Sequence, residues 1–468
     1  MNRLLAPNAA LASLWQAAGL PADALGRVSL TGNEPALPSS FACGTAAQAS
    51  IAAAALAATE ISGLRGSAPP GVAVDMAHAA AEFRSERYLR VDGQPAPELW
   101  DPIAGIYACA DGWVRIHTNF AHHRDGMLAL LACGNDKHSV AQAMRKWHAE
   151  ALEQAAAESG LVATKLRSFD EWDAHPQGLA VATQPLIALE KLDDSPPRPL
   201  PPLAAGQAPL HGLRVLDLTR IIAGPVAGRA LAAYGADVLH ISAPHLPGIL
   251  PLIMDTGRGK RCAALDLDQQ AGRETLAALA AGADLFLQGY RPGGLAERGF
   301  GPAALAALRP GIVCASLSAY GHTGPWAGRR GFDSLTQTAS GFNLAEATAA
   351  GQDTPRALPA QVLDHTAGYL LALGMLAALR RRATEGGSWH VRVSLARTGL
   401  WLRSLGRVAQ GLAAPDPTLE SVASCLEDAP SGFGQLRAVR HAAALSGVAA
   451  GWRLPAMPLG SHAPAWID

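Results

Sequence analysis

Closely spaced cysteine pairs are absent from this sequence. Its six cysteines are far apart and include no C-x-x-C pair: Cys43, Cys109, Cys133, Cys262, Cys314 and Cys425. A zinc knuckle or a disulfide scaffold needs cysteines at closer, regular spacings. The pattern predicts no metal site and no disulfide framework, and it favours the reducing cytoplasm.

The chain also lacks an excess of charge and a long hydrophobic run. It has 38 Lys and Arg against 39 Asp and Glu, which gives a formal net charge of -1. Such a balance provides no global field to attract nucleic acid or an anionic membrane. No apolar run reaches the roughly 18 residues of a membrane span. The sequence therefore predicts neither a nucleic-acid nor a membrane partner, and an anionic ligand must be bound locally.

Several motifs with known chemistry are missing as well. The sequence contains no G-x-S-x-G, no H-E-x-x-H, no Walker loop and no G-x-G-x-x-G. These absences argue against a serine-hydrolase elbow, a zinc protease, a P-loop nucleotidase and a nicotinamide dinucleotide site.

A proline-rich stretch at 195–209, SPPRPLPPLAAGQAP, divides the 468 residues into two halves. The length suggests two or three domains at roughly 150 residues each. After this linker the pattern predicts strands at 214–219, 236–241, 283–287 and 312–317, alternating with helices at 225–234, 270–281 and 302–308. This alternation predicts an α/β fold with an open, doubly wound, Rossmann-like parallel sheet. A long apolar helix is predicted at 364–382, followed by a strand in HVRVSL.

The first half reads as a smaller α+β domain. Residues 105–119 predict two short strands around an Ala-Asp-Gly turn, and helices are predicted near 124–131 and 139–159. The region before it echoes the second half. Leu37-Pro38 with Thr45-Ala46 repeats the spacing of Leu358-Pro359 with Thr366-Ala367. This echo indicates a degenerate partial repeat in which Cys43 stands opposite Asp364.

Three features of the second half are candidates for chemistry. The turn 219–225 enters a helix whose free N–H groups suit an anion, although an ordinary strand-to-helix turn explains it equally well. The clusters GRGKR at 257–261 and YRPGG at 290–294 combine glycine with cations that neutralise phosphates, or they are solvated loops. Asp364 either caps its helix or acts as a carboxylate nucleophile. His365 is expected to be structural, because consecutive helix residues diverge.

The second half, from 210 to about 400, contains the stretches GLRVLDLTRIIAGP, YGADVLHI, GRGKRCAALDLD, YRPGGLAERGFGPAALAALRPGIVCASLSAYGHTGP, GFDSLTQTASG and LPAQVLDHTAGYLLALGMLAALRRR. In their order and spacing these stretches resemble CoA-transferase family III, which includes formyl-CoA and carnitine CoA-transferases. In the first half, GIYACADGWVRIHTN and LRSFDEWDAHPQG resemble the small domain that normally follows the catalytic helix.

The resemblance implies a rearranged domain order. Residues 1–100 would be a degenerate partial copy of the large domain, 101–194 the small α+β domain, 195–209 the linker and 210–468 the CoA-binding large domain. The sequence leaves the oligomeric state open, with a homodimer as one candidate.

The resemblance further implies an enzyme that moves CoA between carboxylic acids. Asp364 would take the acyl group as a mixed anhydride and then carry CoA as an aspartyl thioester. An acyl-CoA donor and a carboxylic acid acceptor are the implied partners, and no permanently bound cofactor is implied. The positions that correspond to CoA contacts are Ala223, Arg258, Lys260, Arg261, Tyr290, Arg291 and Gly293. Arg220 and Ile222 stand where some members have His and Gln.

Two other functions stay open. An α-methylacyl-CoA racemase shares the fold but needs two acid/base groups, and this chain has Phe332 where those relatives have the His that precedes the Asp. A non-catalytic CoA-binding partner subunit is suggested by the shuffled halves, whereas the retained Asp364 argues against it. The Cys43 segment has no charged partner for the thiol, so Cys43 is expected to be a small buried hydrophobe.

Overall fold

Helices and strands alternate along most of the computed structural model, which describes residues 4–467. The strands are β1 (Val28–Thr31), β2 (Val72–Asp75), β3 (Arg90–Val91), β4 (Gln94–Pro95), β5 (Gly105–Ala108), β6 (Trp113–Ile116), β7 (Ala163–Lys165), β8 (Ala188–Lys191), β9 (Arg214–Leu218), β10 (Asp237–Ser242), β11 (Lys260–Ala264), β12 (Leu285–Gln288), β13 (Val313–Ser318), β14 (Trp389–Ser394), β15 (Leu426–Ser431), β16 (Gly434–Val439) and β17 (Ala443–Leu445).

The α-helices vary from one turn to about seven turns in length. They are α1 (Pro7–Ala17), α2 (Cys43–Leu64), α3 (Met76–Glu82), α4 (Ser85–Tyr88), α5 (Ala121–Leu131), α6 (Lys137–Met144), α7 (Ala149–Glu158), α8 (Phe169–Ala174), α9 (Pro176–Ala182), α10 (Ala223–Ala233), α11 (Leu250–Thr256), α12 (Gln270–Ala281), α13 (Pro302–Leu308), α14 (Asp333–Ala339), α15 (Phe342–Ala349), α16 (Val362–Glu385) and α17 (Leu395–Ser404).

A seven-stranded sheet organises the second half of the chain. Its order is β11-β10-β9-β12-β13-β14-β8, and every pair is parallel except β14 with β8. Alternate residues of its strands enter two different apolar clusters. Val215 and Leu285 pack in the cluster that includes α10 and α16, whereas Leu216 and Phe286 pack in the cluster that includes residues of α12 and α13. Both faces of the sheet are therefore covered, as the near-continuous apolar strands require. The predicted mixed α/β fold is confirmed.

The strand order reverses at β9, which lies between β10 on one side and β12 on the other. In open α/β sheets a crevice forms beyond the carboxyl ends of the strands at such a switch point. The loops that follow β9, β12 and β13 meet there. This edge of the sheet positions the candidate site.

A three-stranded antiparallel sheet, β5-β6-β7, lies in the first half and has its own apolar cluster. The single helix predicted at 139–159 is wrong, because the structure has α6 and α7 instead. Asp111 Oδ1 accepts the Ala149 N–H at 2.8 Å, and Asp111 Oδ2 lies 3.0 Å from His148 Nδ1. This tertiary contact starts a new helix, and the local sequence pattern gives no sign of it.

The two regions related by the sequence echo share part of an element order. The strands β1 and β2 are parallel and are connected through α2, with α3 after them. The parallel strands β13 and β14 are connected through α14, α15 and the long helix α16, with α17 after them. Helices α2 and α16 pack in one apolar cluster. The strand β8 precedes the proline-rich stretch but joins the large sheet. The division into domains stays a prediction.

One helix of the described residues, α16, is long and apolar enough to cross a membrane by length and composition. Its apolar window is buried within the protein. Its hydrophobicity is therefore explained by its position in the core.

A buried carboxylate, Glu82, joins the first half to the second half and to the C-terminal region. Tyr369 Oη donates to Glu82 Oε1 at 2.5 Å, and the Ala442 N–H donates to Oε2 at 2.7 Å. His441 Nδ1 and Arg229 Nη2 lie 3.1 and 3.9 Å from Oε1. Burial raises the pKa of Glu82, but His441 and Arg229 outweigh it and hold that pKa well below the usual range. Glu82 thus carries a negative charge that binds distant segments of the chain together.

We expect Glu82→Ala to lower the free energy of unfolding by about 3–5 kcal/mol, because it leaves buried polar partners without their carboxylate. Urea denaturation followed by circular dichroism measures the change. The control is Asp428→Ala, which removes an exposed partner of Arg437 and should leave the transition where it is. Equal effects of the two substitutions would contradict this account.

Candidate functional site

The turn after β9 has an unusual backbone. Ile221 has a φ of 75°, which is unfavourable for a β-branched residue, and such outliers are concentrated at functional sites. The helix α10 begins two residues later at Ala223. The turn therefore brings Ile221, Ile222 and Ala223 to the edge of the sheet.

Asp364 lies in the first turn of α16, next to this turn. A glycine one helical turn later allows the approach, since a Cβ at Gly368 would lie 2.5 Å from the Ala223 carbonyl oxygen. The Asp364 N–H donates to Asp333 Oδ2 at 2.8 Å, and Gln337 donates to Asp333 Oδ1. Within residues 4–467 no group donates a hydrogen bond to the Asp364 carboxylate. Its carboxylate is thus not a helix cap, and it borders two cavities.

Burial dominates the electrostatics of the two carboxylates. Asp364 is 6% exposed. Burial raises its pKa well above the usual range, and the carboxylates of Asp333 and Glu86 raise it further. Burial raises the pKa of Asp333 to about 6, although the N–H of Asp364 and the Gln337 amide act in the opposite direction. A desolvated carboxylate of this kind is a stronger nucleophile than one in water when it is ionised.

A cavity of about 340 Å³ opens in front of Asp364. Apart from Asp364, its charged lining residues are cations, namely Arg220, Arg291, Arg329 and Arg330. The guanidinium of Arg220 packs 4.9 Å from the centre of the Phe120 ring. The cavity therefore suits an anionic molecule that reaches Asp364.

The predicted contact residues divide into two groups. Ala223, Tyr290 and Arg291 line the cavity with Asp364. Gly293, with a φ of 91°, lines a neighbouring cavity that shares Tyr290 and Arg291 with it. The structure thus brings these four positions together around the loop after β12.

The other three predicted contacts, Arg258, Lys260 and Arg261, do not line this cavity. Lys260 lines an adjoining cavity that shares Arg220 and Ile221 with it. Each already has a carboxylate partner: Arg258 with Asp255 at 2.6 Å, Lys260 with Asp217 at 2.7 Å and Arg261 with Asp237 at 2.8 Å. The three cations are buried. Internal ion pairs therefore hold the GRGKR segment in the fold.

Several lining residues come from the first half, and no sequence motif identifies them as part of a site. Phe120, His122 and His123 line the large cavity. His117 stacks on Phe332, with 3.9 Å between the ring centres and 11° between the planes. The adjacent histidines His122 and His123 lie in the first turn of α5. Only the fold shows that these rings face a site in the other half.

The surroundings of His365 and Cys43 indicate that both residues have structural roles. The His365 ring stacks on Phe83 at 5.1 Å, and its Nε2 lies 3.7 Å from Glu86 Oε2. Cys43 is the first residue of α2, is 1% exposed, and lies in the apolar core. Burial raises the pKa of the Cys43 thiol well above its usual range. A protonated, buried thiol is a poor nucleophile.

Residues 210–421 match the family model described as CoA-transferase family III. An acyl-CoA transferase of Gibberella moniliformis is 31% identical over 366 residues, which are 69% of this chain and 63% of that protein. The probable fatty acyl-CoA transferase Rv3272 of Mycobacterium tuberculosis is 33% identical over 45% of this chain and 57% of its own length. The alpha subunit of succinyl-CoA–L-malate CoA-transferase from Chloroflexus aurantiacus is 32% identical over 43% of this chain and 50% of the subunit.

Among solved structures, the orthorhombic crystal form of Rv3272 is similar, with 32% identity and a TM-score of 0.40. The similarity covers 42% of this chain and 57% of that chain. This chain spans less than two thirds of the length of each of these relatives.

We expect Asp333→Asn to lower the pKa of Asp364 by about one pH unit or more, because it removes the neighbouring negative charge. The amide oxygen can still accept the Asp364 N–H. The measurement is the infrared carboxyl band that Asp364→Asn removes, followed against pH. Since the pKa falls, the protonated band should disappear at lower pH. An Asp428→Asn protein should titrate like the parent, and an unchanged titration in Asp333→Asn would refute the coupling.

Proposed function

Residues 210–421 belong to CoA-transferase family III, and from this premise we propose that the chain transfers coenzyme A between carboxylic acids with Asp364 as its nucleophile. The observation that carries the proposal is the Asp364 carboxylate itself. It is buried, free of hydrogen-bond donors within the described residues, and open to a cavity whose other charged residues are arginines. This environment suits attack on the thioester of a polyanionic carrier.

The reaction proceeds through two activated forms of Asp364. A carboxylate oxygen of Asp364 attacks the thioester carbonyl, the C–S bond breaks, and CoA leaves as a thiolate with a mixed anhydride in place. The thiolate then attacks the aspartyl carbonyl, which forms an aspartyl-CoA thioester and releases the donor acid. The acceptor carboxylate attacks this thioester to give a second anhydride. The thiolate finally attacks the acceptor's carbonyl, and Asp364 is free again. Dividing one exchange into these transfers is the advantage of covalent catalysis.

Arg291 is the cation that we propose for a CoA phosphate. It is exposed on the loop after β12, lines the cavity with Asp364, and lies beside Tyr290. Arg220 lines the same cavity, at the position where some family members have His. We assign Arg258, Lys260 and Arg261 to the fold, because their charges are paired internally.

A racemase is the second candidate, and Phe332 argues against it. Racemisation needs an acid and a base on opposite faces of the α-carbon, and the ring of Phe332 stacks on His117 at the position where such a relative has its histidine. A racemase would exchange the α-proton of a 2-methylacyl-CoA with deuterium from heavy water. We expect no exchange above that of buffer.

We further propose that residues 1–100, 101–194 and 210–468 form the partial copy, the small α+β domain and the Rossmann-like large domain, and that the protein works in the cytoplasm. The support is the shared order of elements around α2 and α16, the separate sheet β5-β6-β7 and the parallel sheet at 214–394. Whether two chains associate is a matter for measurement in solution.

We expect Asp364→Ala to lower CoA-transferase turnover by about 10³-fold or more, because the nucleophile is lost. The binding of CoA should be largely retained. Turnover is measured by the exchange of CoA between labelled acids, and affinity by calorimetry. Cys43→Ala is the control at the echoed position and should keep full turnover. An Asp364→Ala protein with a tenth of the parent turnover would remove Asp364 from this role.

We expect Arg291→Ala to raise the Kd for CoA about tenfold or more, because a charge-assisted contact with a phosphate is lost. The affinity should also depend less on salt, since one ionic contact is missing. Calorimetry at two salt concentrations measures both effects. Arg437→Ala removes an exposed arginine of the β15–β16 hairpin and is the matched control. An affinity that matches the parent would exclude Arg291 from the CoA site.

A further inference from the structure

A second, much smaller cavity of about 20 Å³ also borders Asp364. We refer to it as the side chamber. It shares Ile221, Ile222, Phe332 and Asp364 with the wall of the large cavity. Its volume is that of about one water molecule. A molecule that reacts with Asp364 can therefore extend only one small group into the side chamber.

Two residues on the wall of the side chamber each have a buried polar atom with no hydrogen-bond partner among residues 4–467. These atoms are Ser334 Oγ and His117 Nδ1. Ser334 is 3% exposed and His117 is 4% exposed. They come from different halves of the chain. Buried polar groups nearly always have a partner, and an unpaired one costs free energy.

Asn119, a polar side chain of the wall from the first half, is already satisfied. Asn119 Nδ2 donates to the Leu99 carbonyl at 2.9 Å, and Asn119 Oδ1 accepts the Asp101 N–H at 3.1 Å. Of the buried unpaired side-chain atoms of residues 4–467, only Ser334 Oγ and His117 Nδ1 belong to residues of this wall, and a partner in so small a chamber must itself be small.

The partner should be a neutral group that both donates and accepts. A serine hydroxyl and a neutral imidazole can each do both. Burial lowers the pKa of His117 to about 3, with Arg115 and His123 acting in the same direction, so its ring is neutral at pH 7. The wall also contains the carboxylates of Asp333 and Asp364, which disfavour a second anion.

Arg115 does not change this conclusion. Its guanidinium packs over the Trp100 ring, 5.6 Å from the ring centre, and it is not part of the wall. The His117 ring cannot turn freely towards another partner, because it is stacked on Phe332.

We propose that the side chamber binds a hydroxyl group that the substrate acid carries close to its carboxyl carbon, so that the substrates are short hydroxy acids and their CoA thioesters. This inference rests on the proposed function, because it takes Asp364 as the group that the acyl carbon meets. Ser334 and His117 are then specificity-determining residues. An acid with a methylene or methyl group at that point leaves both orphan atoms unpaired, and sites built to bind a hydroxyl discriminate strongly against such analogues.

The test compares the binding of CoA thioesters to the Asp364→Asn protein, which cannot form an anhydride. The probes are butyryl-CoA, 2-hydroxybutyryl-CoA and 3-hydroxybutyryl-CoA, and the method is calorimetry. At least one hydroxylated thioester should bind about tenfold or more tightly than butyryl-CoA. Adding Ser334→Ala should reduce the ratio of the hydroxylated thioester's affinity to that of butyryl-CoA to about one. The affinity for butyryl-CoA itself should stay the same or increase. Adding His117→Phe, which keeps the aromatic stacking, should do the same.

The control is Cys43→Ala, which should keep the ratio of the parent. Equal affinity for all three thioesters contradicts the inference, and so does a preference that survives Ser334→Ala. Ser334→Ala removes a single oxygen. If the His117→Phe protein does not fold, the Ser334→Ala protein alone tests whether the side chamber recognises a hydroxyl group. Binding with a hydroxyl preference but no turnover in the unmodified protein would overturn the proposed function only. Turnover without the preference would overturn only the side chamber's role, and no binding of any thioester would overturn both.

Discussion

Two carboxylates are held side by side in the interior of this protein, and the candidate site depends on that arrangement. The N–H of Asp364 donates to Asp333, so the backbone of one residue fixes the side chain of the other. Burial then opposes ionisation of both, and the negative charge of Asp333 further opposes ionisation of Asp364. Such a buried pair lowers the stability of the fold, so it persists only where the surrounding packing holds the two side chains in place. Here the packing is the close approach of α16 to α10 at Gly368.

Both halves of the chain build the surroundings of this pair. The second half contributes the strained turn at Ile221, the loop after β12 and the arginines of the large cavity. The first half contributes His117 on the side chamber and the aromatic and histidine side chains at 120–123. Glu82 and its partners tie the halves together at a separate buried point. The site therefore depends on both halves of the chain, since neither half alone supplies all of its walls.

The sequence could predict much of this molecule where the information is local. Alternating apolar strands and helices indicated the α/β sheet, and the segment LPAQVLDHTAG indicated the helix that carries Asp364. It could not predict partners that only the fold brings together. The GRGKR segment combines cations with glycine as a phosphate site does, whereas tertiary ion pairs with Asp217 and Asp237 and a local pair with Asp255 neutralise its cations. His117 and Ser334 are 217 residues apart in the chain, and no local pattern relates them.

The most direct test of the account is to trap the covalent intermediate. The protein is incubated with an acyl-CoA, treated with hydroxylamine, digested and examined by mass spectrometry. An activated aspartyl carbonyl is converted by hydroxylamine to a hydroxamate, so the account predicts this modification at Asp364 and at no more than one residue per chain. The modification should be absent when acyl-CoA is omitted. An unmodified Asp364 in protein that exchanges CoA between acids, or a modification at Cys43 instead, would contradict the central claim.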